Sequence, residues 1–496
     1  MELMHLQNGS DIRGIAIKTQ EYNQTLTDEA IARIGYAGVK WIQNKLNLPY
    51  ESLNIAIGYD CRLSADQIKN QLIEGMKGFP VTITDVGMAT TPSMFFANQY
   101  PEVNCQMSIM ITASHLPYEY NGLKFFTELG GAESEDISDI LNLAESLSEE
   151  DLNQESQCTV TSFDLLDLYA KDLVNTIRKG INNGNQPLKG RHIIVDAGNG
   201  MGGFFASKVL EPLGANTKGS QYLDPDGTFP NHAPNPDNKE AMASIRQAVL
   251  DNQADLGIIF DTDVDRAAVV DEKGETFNRN NLIALISAIL LEEEPGATIV
   301  TNSATSNHLR DFIEGLGGRQ DLYLTGYRNV INRATDLQEQ GINAVLAIET
   351  SGHAALKENQ MLDDGAYLVA KLIIADAKLA SKGKKLGALI DTLKQPVETN
   401  EKRFKIIEEP IIENGERIIE EFKERVKQTE DMELIPDHIE GMRANVSGKY
   451  GSGWFLVRLS LHEPLLVWTL ENDVEGSIDK VMDELQDFFD NQSALE

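Results

Sequence analysis

The chain has 496 residues with 43 Lys+Arg against 77 Asp+Glu, a net charge of -34, and 41% hydrophobic residues. That length exceeds what one hydrophobic core organises and predicts three or four domains of ordinary globular composition. The acidity argues against nucleic acid or an anionic membrane as main partner, so an anionic ligand would need a local cluster of Arg and Lys.

Cys61, Cys105 and Cys158 form no CxxC pair, which predicts reduced thiols and no zinc site. The segment MELMHLQNGSDIRG lacks the apolar stretch of a secretory signal, and no run reaches 18 continuous apolar residues. A cytoplasmic chain is the expectation.

Residues 10 to 17, SDIRGIAI, set Arg13 between a polar turn and an apolar run, where Gly14 permits close backbone approach. Thr27 is the expected cap of a helix with Asp28 and Glu29 in its first turn and Ile31, Ile34, Trp41, Ile42 and Leu46 at helical spacing. LNIAIGYDCRLS reads as a buried strand ending at Gly58, with Asp60, Arg62 and Ser64 beyond it and a helix from Ala65 to Met76. A further strand, VTITDVG, leads to a turn at Thr91-Pro92. Met107 to Ile111 then forms a short buried strand that breaks into a polar turn carrying Ser114 and His115 and passes through Asn121-Gly122 to Lys124. An apolar strand opening into a serine-bearing loop is a common way for α/β enzymes to present a reactive group. Glu133 to Asp151 reads as an amphipathic helix, and the polar NQESQ sets a first boundary near residue 155.

After a helix around Leu165 to Ile177, the strand HIIVDAGNGMGG brings Gly198, Gly200 and Gly203 into the GxGxxG pattern. Two readings stay open: a dinucleotide fingerprint, or glycines for tight strand-to-helix packing. Asp224, at about the distance of a ribose-binding acid, sits in the turn DPDGTFP and not at a clear strand end. The strand Leu256 to Phe260 runs into DTDVDR, where Asp261, Asp263 and Asp265 alternate. Three carboxylates so close converge around a cation, because like charges repel, and oxygen ligands suit Mg²⁺ or Ca²⁺. Glu272 falls at the twelfth position of an EF-hand, but Arg266 takes the place of its sixth-position glycine and Ala267 to Val270 is an apolar strand. Mg²⁺ is therefore the expected ion, with an acidic surface turn as the alternative.

The third segment carries a helix through Leu282 to Leu291, the strand ATIVTNSATS and the strand DLYLTGYRN with Tyr327 and Arg328. AVLAIET ends in Glu349-Thr350-Ser351-Gly352-His353, which could bind sugar hydroxyls or supply a Ser/His pair, although no orienting acid is evident. Asp363 and Asp364 open a helix to about Ala380. In the last segment a helix from Ile411 to Gln428 precedes WFLVRLSLHEPLLVWTLE, two strands around Arg458, Ser460 and His462. Such a turn suits a phosphate dianion or is an ordinary hairpin. Asp473 is the expected cap of a final helix, Val474 to Phe489.

In this order the pieces resemble the α-D-phosphohexomutase superfamily, which includes phosphoglucomutase, phosphomannomutase and phosphoglucosamine mutase. Thr112-Ala-Ser-His-Leu-Pro with Asn121-Gly122-Leu-Lys124 looks like its phosphoserine loop, and Asp261-Thr-Asp-Val-Asp-Arg like its metal loop. Glu349-Thr-Ser-Gly-His353 is similar to its sugar-specificity loop, and Arg458-Leu-Ser-Leu-His-Glu-Pro464 to its phosphate-binding loop; VDAGNGMGG and PDGTFPNHAPNP also match its second domain. The chain departs from the family at Leu116, at Thr262 and Val264 in the metal loop, at Thr350, and at Leu459, Leu461 and His462.

The resemblance implies three successive mixed α/β domains of similar topology, at 1–155, 156–277 and 278–392, and a smaller C-terminal α+β domain at 393–496, arranged round a central cleft. It implies a monomer or homodimer acting on sugar phosphates: an isomerase that interconverts hexose 1-phosphate and hexose 6-phosphate by intramolecular phosphotransfer through a hexose 1,6-bisphosphate. Ser114 would carry the phosphoryl group, with Mg²⁺ on Asp261, Asp263, Asp265 and a phosphoserine oxygen. Lys124 is the first candidate acid/base, with His353 and Arg13 as rivals or partners. Glu349 and Ser351 would read sugar hydroxyls, and Arg458, Ser460 and His462 a phosphate, with His115, Arg62, Arg266 and Arg328 in support. A phosphoglucosamine mutase, a dinucleotide-dependent oxidoreductase and a non-catalytic sugar-phosphate binder are the alternatives.

Overall fold

The computed structural model describes residues 1–436, 438–460 and 463–496. Its contacts divide the chain into two compact units, Met1–Ile286 with Ser351–Leu389, and Ser287–Thr350 with Ile390–Glu496. No helix among the described residues is long and apolar enough to cross a membrane.

The first unit is built on two sheets. In the larger, Asp11–Ile15 pairs antiparallel with Tyr120–Thr127, which pairs antiparallel with Met107–Ile111. Parallel neighbours follow in the order Asn54–Tyr59, Thr82–Met88 and Thr159–Ser162. The central strand Met107–Ile111 is buried along its whole length, as a strand covered on both faces must be. Helices Asp28–Leu46, Ala65–Met76 and Ser134–Ser146 bury Ile31, Ile34, Ile42, Leu72, Ile137 and Ile140 in one core with Ile55, Ile57, Met107 and Ile109 of the sheet. The first helix begins as its sequence predicts: Thr27 accepts from the Ala30 amide at 3.3 Å, and Asp28 and Glu29 occupy the positive end of the helix dipole. Thr91-Pro92 is not a turn. Thr90 and Ser93 form a reciprocal capping box and Thr91–Phe96 is a short helix, since a proline inside the first turn gives up no hydrogen bond.

In the second sheet Ile193–Asp196 lies parallel to Leu256–Phe260, which turns back antiparallel as Ala267–Asp271. The residues Asp261 to Arg266 are the connection of this hairpin. A small hairpin, Ala354–Leu356 with Leu362–Asp363, leads into the helix Gly365–Ala380, capped by the Asp364 carboxylate on the Tyr367 amide at 2.8 Å.

The second unit holds a parallel sheet in which Thr298–Asn302 is flanked by Arg319–Tyr323 and Ala344–Ile348. The strand expected to carry Tyr327 and Arg328 stops at Tyr323. Both residues open the helix Tyr327–Glu339, because Gly326 at φ +123° bends the chain before it. The C-terminal part is an antiparallel sheet ordered Glu398–Lys405, Leu465–Asn472, Gly453–Leu459, Met442–Val446 and Met432–Leu434. Helices Ile411–Lys427 and Ser477–Asp490 pack Ile418, Phe422, Leu485 and Phe489 against Phe455 and Trp468. Asp473 does not cap the last helix. Glu398, from the edge strand, accepts from the amides of Ser477 at 3.2 Å and Ile478 at 3.0 Å, while Asp473 accepts from His308 at 2.7 Å.

Candidate active site

Ser114 sits past the end of the buried strand Met107–Ile111 in the left-handed region, φ +50°, and is 3% exposed. Its conformation is over-determined: the Thr112 hydroxyl accepts from the Ser114 amide at 2.9 Å and donates to Asp60 at 2.6 Å. The Ser114 hydroxyl donates to Asp261 Oδ2 at 3.1 Å and accepts from Arg266 Nη2 at 3.1 Å. Arg266 in turn lies at 3.0 Å from Asp261 Oδ2 and 2.5 Å from His115 Nδ1. That guanidinium, with burial, holds the His115 imidazole well below its usual range, so His115 is a neutral acceptor locked to Arg266.

The hairpin connection gathers Asp261, Asp263 and Asp265, all fully buried, with a ligand oxygen from each within 4.8 Å of the others. Burial, then Asp265 and Asp263, push the Asp261 carboxyl well above the usual range, and burial and Asp265 push Asp263 up. Burial opposes ionisation of Asp265 too, but Lys124, His353 and Arg266 hold its carboxyl below the ordinary value. Lys124 Nζ lies 3.0 Å from Asp265 Oδ2. Among the described residues, Asp263 Oδ1 and Asp265 Oδ1 are buried with no hydrogen-bond partner. Orphaned oxygens in an all-carboxylate cluster fit a hard divalent cation.

The departures at Thr262 and Val264 have a structural outcome. Val264 is fully buried at φ +68°, a left-handed position that a β-branched residue rarely takes. It is held there by backbone contacts, Gly365 N to Val264 O at 3.1 Å and Thr91 N to Asp263 O at 2.9 Å. The glycine-rich loop braces the same turn: Met201 N donates to Thr262 O at 2.7 Å, and a Cβ on Gly200 would lie 2.7 Å from Thr262 Cα. A Cβ on Gly203 would lie 2.1 Å from Leu223 O. These close approaches favour the packing reading of GxGxxG.

His353 Nδ1 meets Asp363 Oδ2 at 2.6 Å, and Arg13 meets Asp11 at 2.9 Å with Lys124 3.9 Å from the same Asp11 oxygen. The first unit thus brings together Ser114, His115, Lys124, the three aspartates, Arg266 and His353. Sequence reasoning missed Asp11 and the partnership of Asp363, the orienting acid that ETSGH lacked. Asp11 stands two residues before Arg13 on one strand face, and Asp363 pairs through the short hairpin; the first is a readable period, the second is not.

Models of three families match in succession: phosphoglucomutase/phosphomannomutase alpha/beta/alpha domain I over residues 4–151, domain II over 167–274 and domain III over 278–396. The chain belongs to the phosphoglucomutase/phosphomannomutase family. It is 31% identical over 476 residues to a phosphoglucomutase of Neisseria gonorrhoeae, covering 95% of this chain and 94% of that protein. It is 30% identical to a phosphomannomutase/phosphoglucomutase of Pseudomonas aeruginosa strain PAO1, covering 95% and 92%. A crystal structure of a phosphoglucomutase/phosphomannomutase family protein from Burkholderia thailandensis superposes with a TM-score of 0.77 at 24% identity, covering 98% and 96%. Membership makes the chain a phosphohexomutase, an intramolecular phosphotransferase.

Of the residues that the family resemblance nominates for sugar and phosphate, Glu349 lies in the second unit, where its Oε1 accepts from the Gly326 amide at 2.7 Å. Ser351 belongs to the first unit, with its buried hydroxyl unbonded among the described residues. Arg458, at the end of Gly453–Leu459, donates to Leu459 O at 3.0 Å, and Ser460 N donates to Leu465 O at 2.8 Å. Arg328 lies in the first turn of Tyr327–Glu339. His462 falls outside the described residues.

Proposed function

We propose that the chain interconverts hexose 1-phosphate and hexose 6-phosphate, of glucose and/or mannose, through a phosphorylated Ser114 and a bound hexose 1,6-bisphosphate. The observation that carries this reading is the Ser114 hydroxyl at 3.1 Å from both Asp261 Oδ2 and Arg266 Nη2. A phosphoryl group on that oxygen would lie beside a guanidinium and a carboxylate cluster suited to a cation. The relatives named above, phosphoglucomutase and phosphomannomutase/phosphoglucomutase, support the choice of sugars.

Asp261, Asp263, Asp265 and an oxygen of the phosphoserine are the proposed holders of Mg²⁺, which when bound supplies neutralising charge to the phosphoryl oxygens. Arg266 adds a fixed positive charge there and keeps His115 neutral. In the forward half-reaction the sugar hydroxyl forms the new O–P bond, the Ser114 Oγ–P bond breaks, and the hydroxyl proton passes to a base. His353 is the proposed base, with Asp363 holding its Nδ1 at 2.6 Å. Lys124, paired with Asp265 and Asp11, and Arg13, paired with Asp11, keep the role of neighbouring cations and proton partners. The bisphosphate then returns its other phosphoryl group to Ser114. In the second unit, Glu349 is proposed as an acceptor for sugar hydroxyls, and Arg458 and Ser460 as hydrogen-bond donors to a phosphate, with Arg328 in support. The segments 1–155, 156–277, 278–392 and 393–496 are proposed as the domains that carry these groups.

The test is a coupled assay of glucose 1-phosphate, mannose 1-phosphate and glucosamine 6-phosphate with the wild type and Ser114→Ala. Turnover of one or both of the first two by the wild type and none by the variant is expected. Substantial mutase activity in Ser114→Ala with a bisphosphate activator present, or turnover of glucosamine 6-phosphate alone, overturns the reading.

A further inference from the structure

Arg62 is buried beside Asp60, both side chains fully covered. Its Nη2 donates to Ser114 O and Leu116 O, each at 2.6 Å, and its Nη1 to Pro117 O at 2.8 Å and Tyr120 O at 2.9 Å. One guanidinium therefore gathers four carbonyls of the loop that carries the reactive serine, and Asp60 ties the loop's other side through Thr112. Such convergence fixes a loop only if the guanidinium itself cannot swing.

Besides Asp60, what holds it comes from a different part of the fold. The Phe229 ring stands 5.3 Å from the Arg62 guanidinium carbon, within cation–π range. Gly227 comes so close that a Cβ there would lie 2.4 Å from Cys61 O and 2.8 Å from Arg62 Cα. Residues 222 to 236 are anchored independently of Arg62. His232 meets Asp196 at 3.0 Å, Asn231 donates to Asn199 at 2.7 Å, and Asn199 donates to Asp224 O at 2.9 Å. Phe229 and Tyr222 both hold left-handed backbone, φ +48° and +52°, a cost that persists where surroundings over-determine it.

We propose that Phe229 is a positioning residue for phosphoryl transfer: the loop that carries it clamps Arg62, and Arg62 holds the Ser114 loop in its reactive shape. The proposal rests on Ser114 as phosphoryl carrier. It makes the segment DPDGTFPNH part of the working site through Arg62.

The experiment compares wild type, Phe229→Leu, Phe229→Met and Phe229→Tyr by steady-state kinetics, melting temperature and amide hydrogen exchange. Losing one cation–π contact should lower kcat about fivefold in the Leu and Met variants. The KM for hexose phosphate should stay within about twofold. Exchange should quicken in the peptide spanning Ser114 to Tyr120 and not in that spanning Ala267 to Asp271, and Phe229→Tyr should restore both readouts. The two truncations guard against one failing to fold. Unchanged kcat, a fall without faster exchange in the serine loop, or failure of tyrosine to restore it overturns the proposal. If the wild type itself shows no mutase activity, the functional reading fails instead, and the exchange comparison still tests the clamp.

Discussion

At Asp263 one carboxylate oxygen accepts from Thr91 Oγ1 at 2.5 Å while the other is buried with no hydrogen-bond partner among the described residues. A residue so placed costs stability until a cation arrives. Asp263→Asn keeps an acceptor for Thr91 and removes a charge, so the metal-free variant should be at least as stable as the metal-free wild type. Saturating Mg²⁺ should stabilise the wild type by about 2.7 kcal/mol at a hundred times Kd, and the variant by far less. Denaturant melts with EDTA and with Mg²⁺ check both expectations. His438 gives the pH counterpart. Burial, then Arg443 and Arg310, lower its imidazole to about 4. The unfolded chain therefore takes up its proton first, and the stability that neutral His438 provides is present above pH 6.5 and lost as pH falls from 6.5 to 4. Between pH 7 and pH 4.5 the wild type should lose about 1–2 kcal/mol more than His438→Leu, allowing for partial exposure.

At the scale of elements, legibility in the sequence followed the range of the interaction. Thr27 and the helix Ala65–Met76 were readable because cap and periodicity are local. The last helix was misread because its N-terminal amides go to Glu398, about eighty residues earlier, and no local pattern reports such a partner. Thr91-Pro92 failed differently: a proline after a threonine opens both turns and helices, and Ser93 as reciprocal cap decided it. The glycine-rich loop was ambiguous because tight packing and phosphate cradles need the same residue. Its contacts with Thr262 predict that Gly200→Ala, with a Cβ 2.7 Å from Thr262 Cα, loosens the carboxylate turn. Titration of Mg²⁺ by calorimetry should show affinity at least about tenfold weaker, a loss of 1.4 kcal/mol or more. NADH fluorescence should be unchanged by either protein; enhancement by the wild type would contradict the packing account.

Over the whole molecule, the motif order revealed more than any motif alone. Ser114, the aspartates at 261 to 265 and His353 are far apart in the chain, and the first unit brings them into one network of hydrogen bonds and ion pairs. The acidity that argued against nucleic acid says nothing of this, since buried Arg266 and Lys124 provide local positive charge within a chain of net charge -34. Pairings such as Asp363 with His353 and Phe229 with Arg62 arise from tertiary packing and left no trace in spacing. The central claim is that Ser114 is the phosphoryl carrier, and intact-mass spectrometry of a Ser114-containing peptide addresses it directly. After exposure to hexose 1,6-bisphosphate the peptide should gain about 80 Da, one phosphate group, and lose it again on addition of hexose 1-phosphate. Turnover by a wild type whose Ser114 never carries that mass would contradict the account.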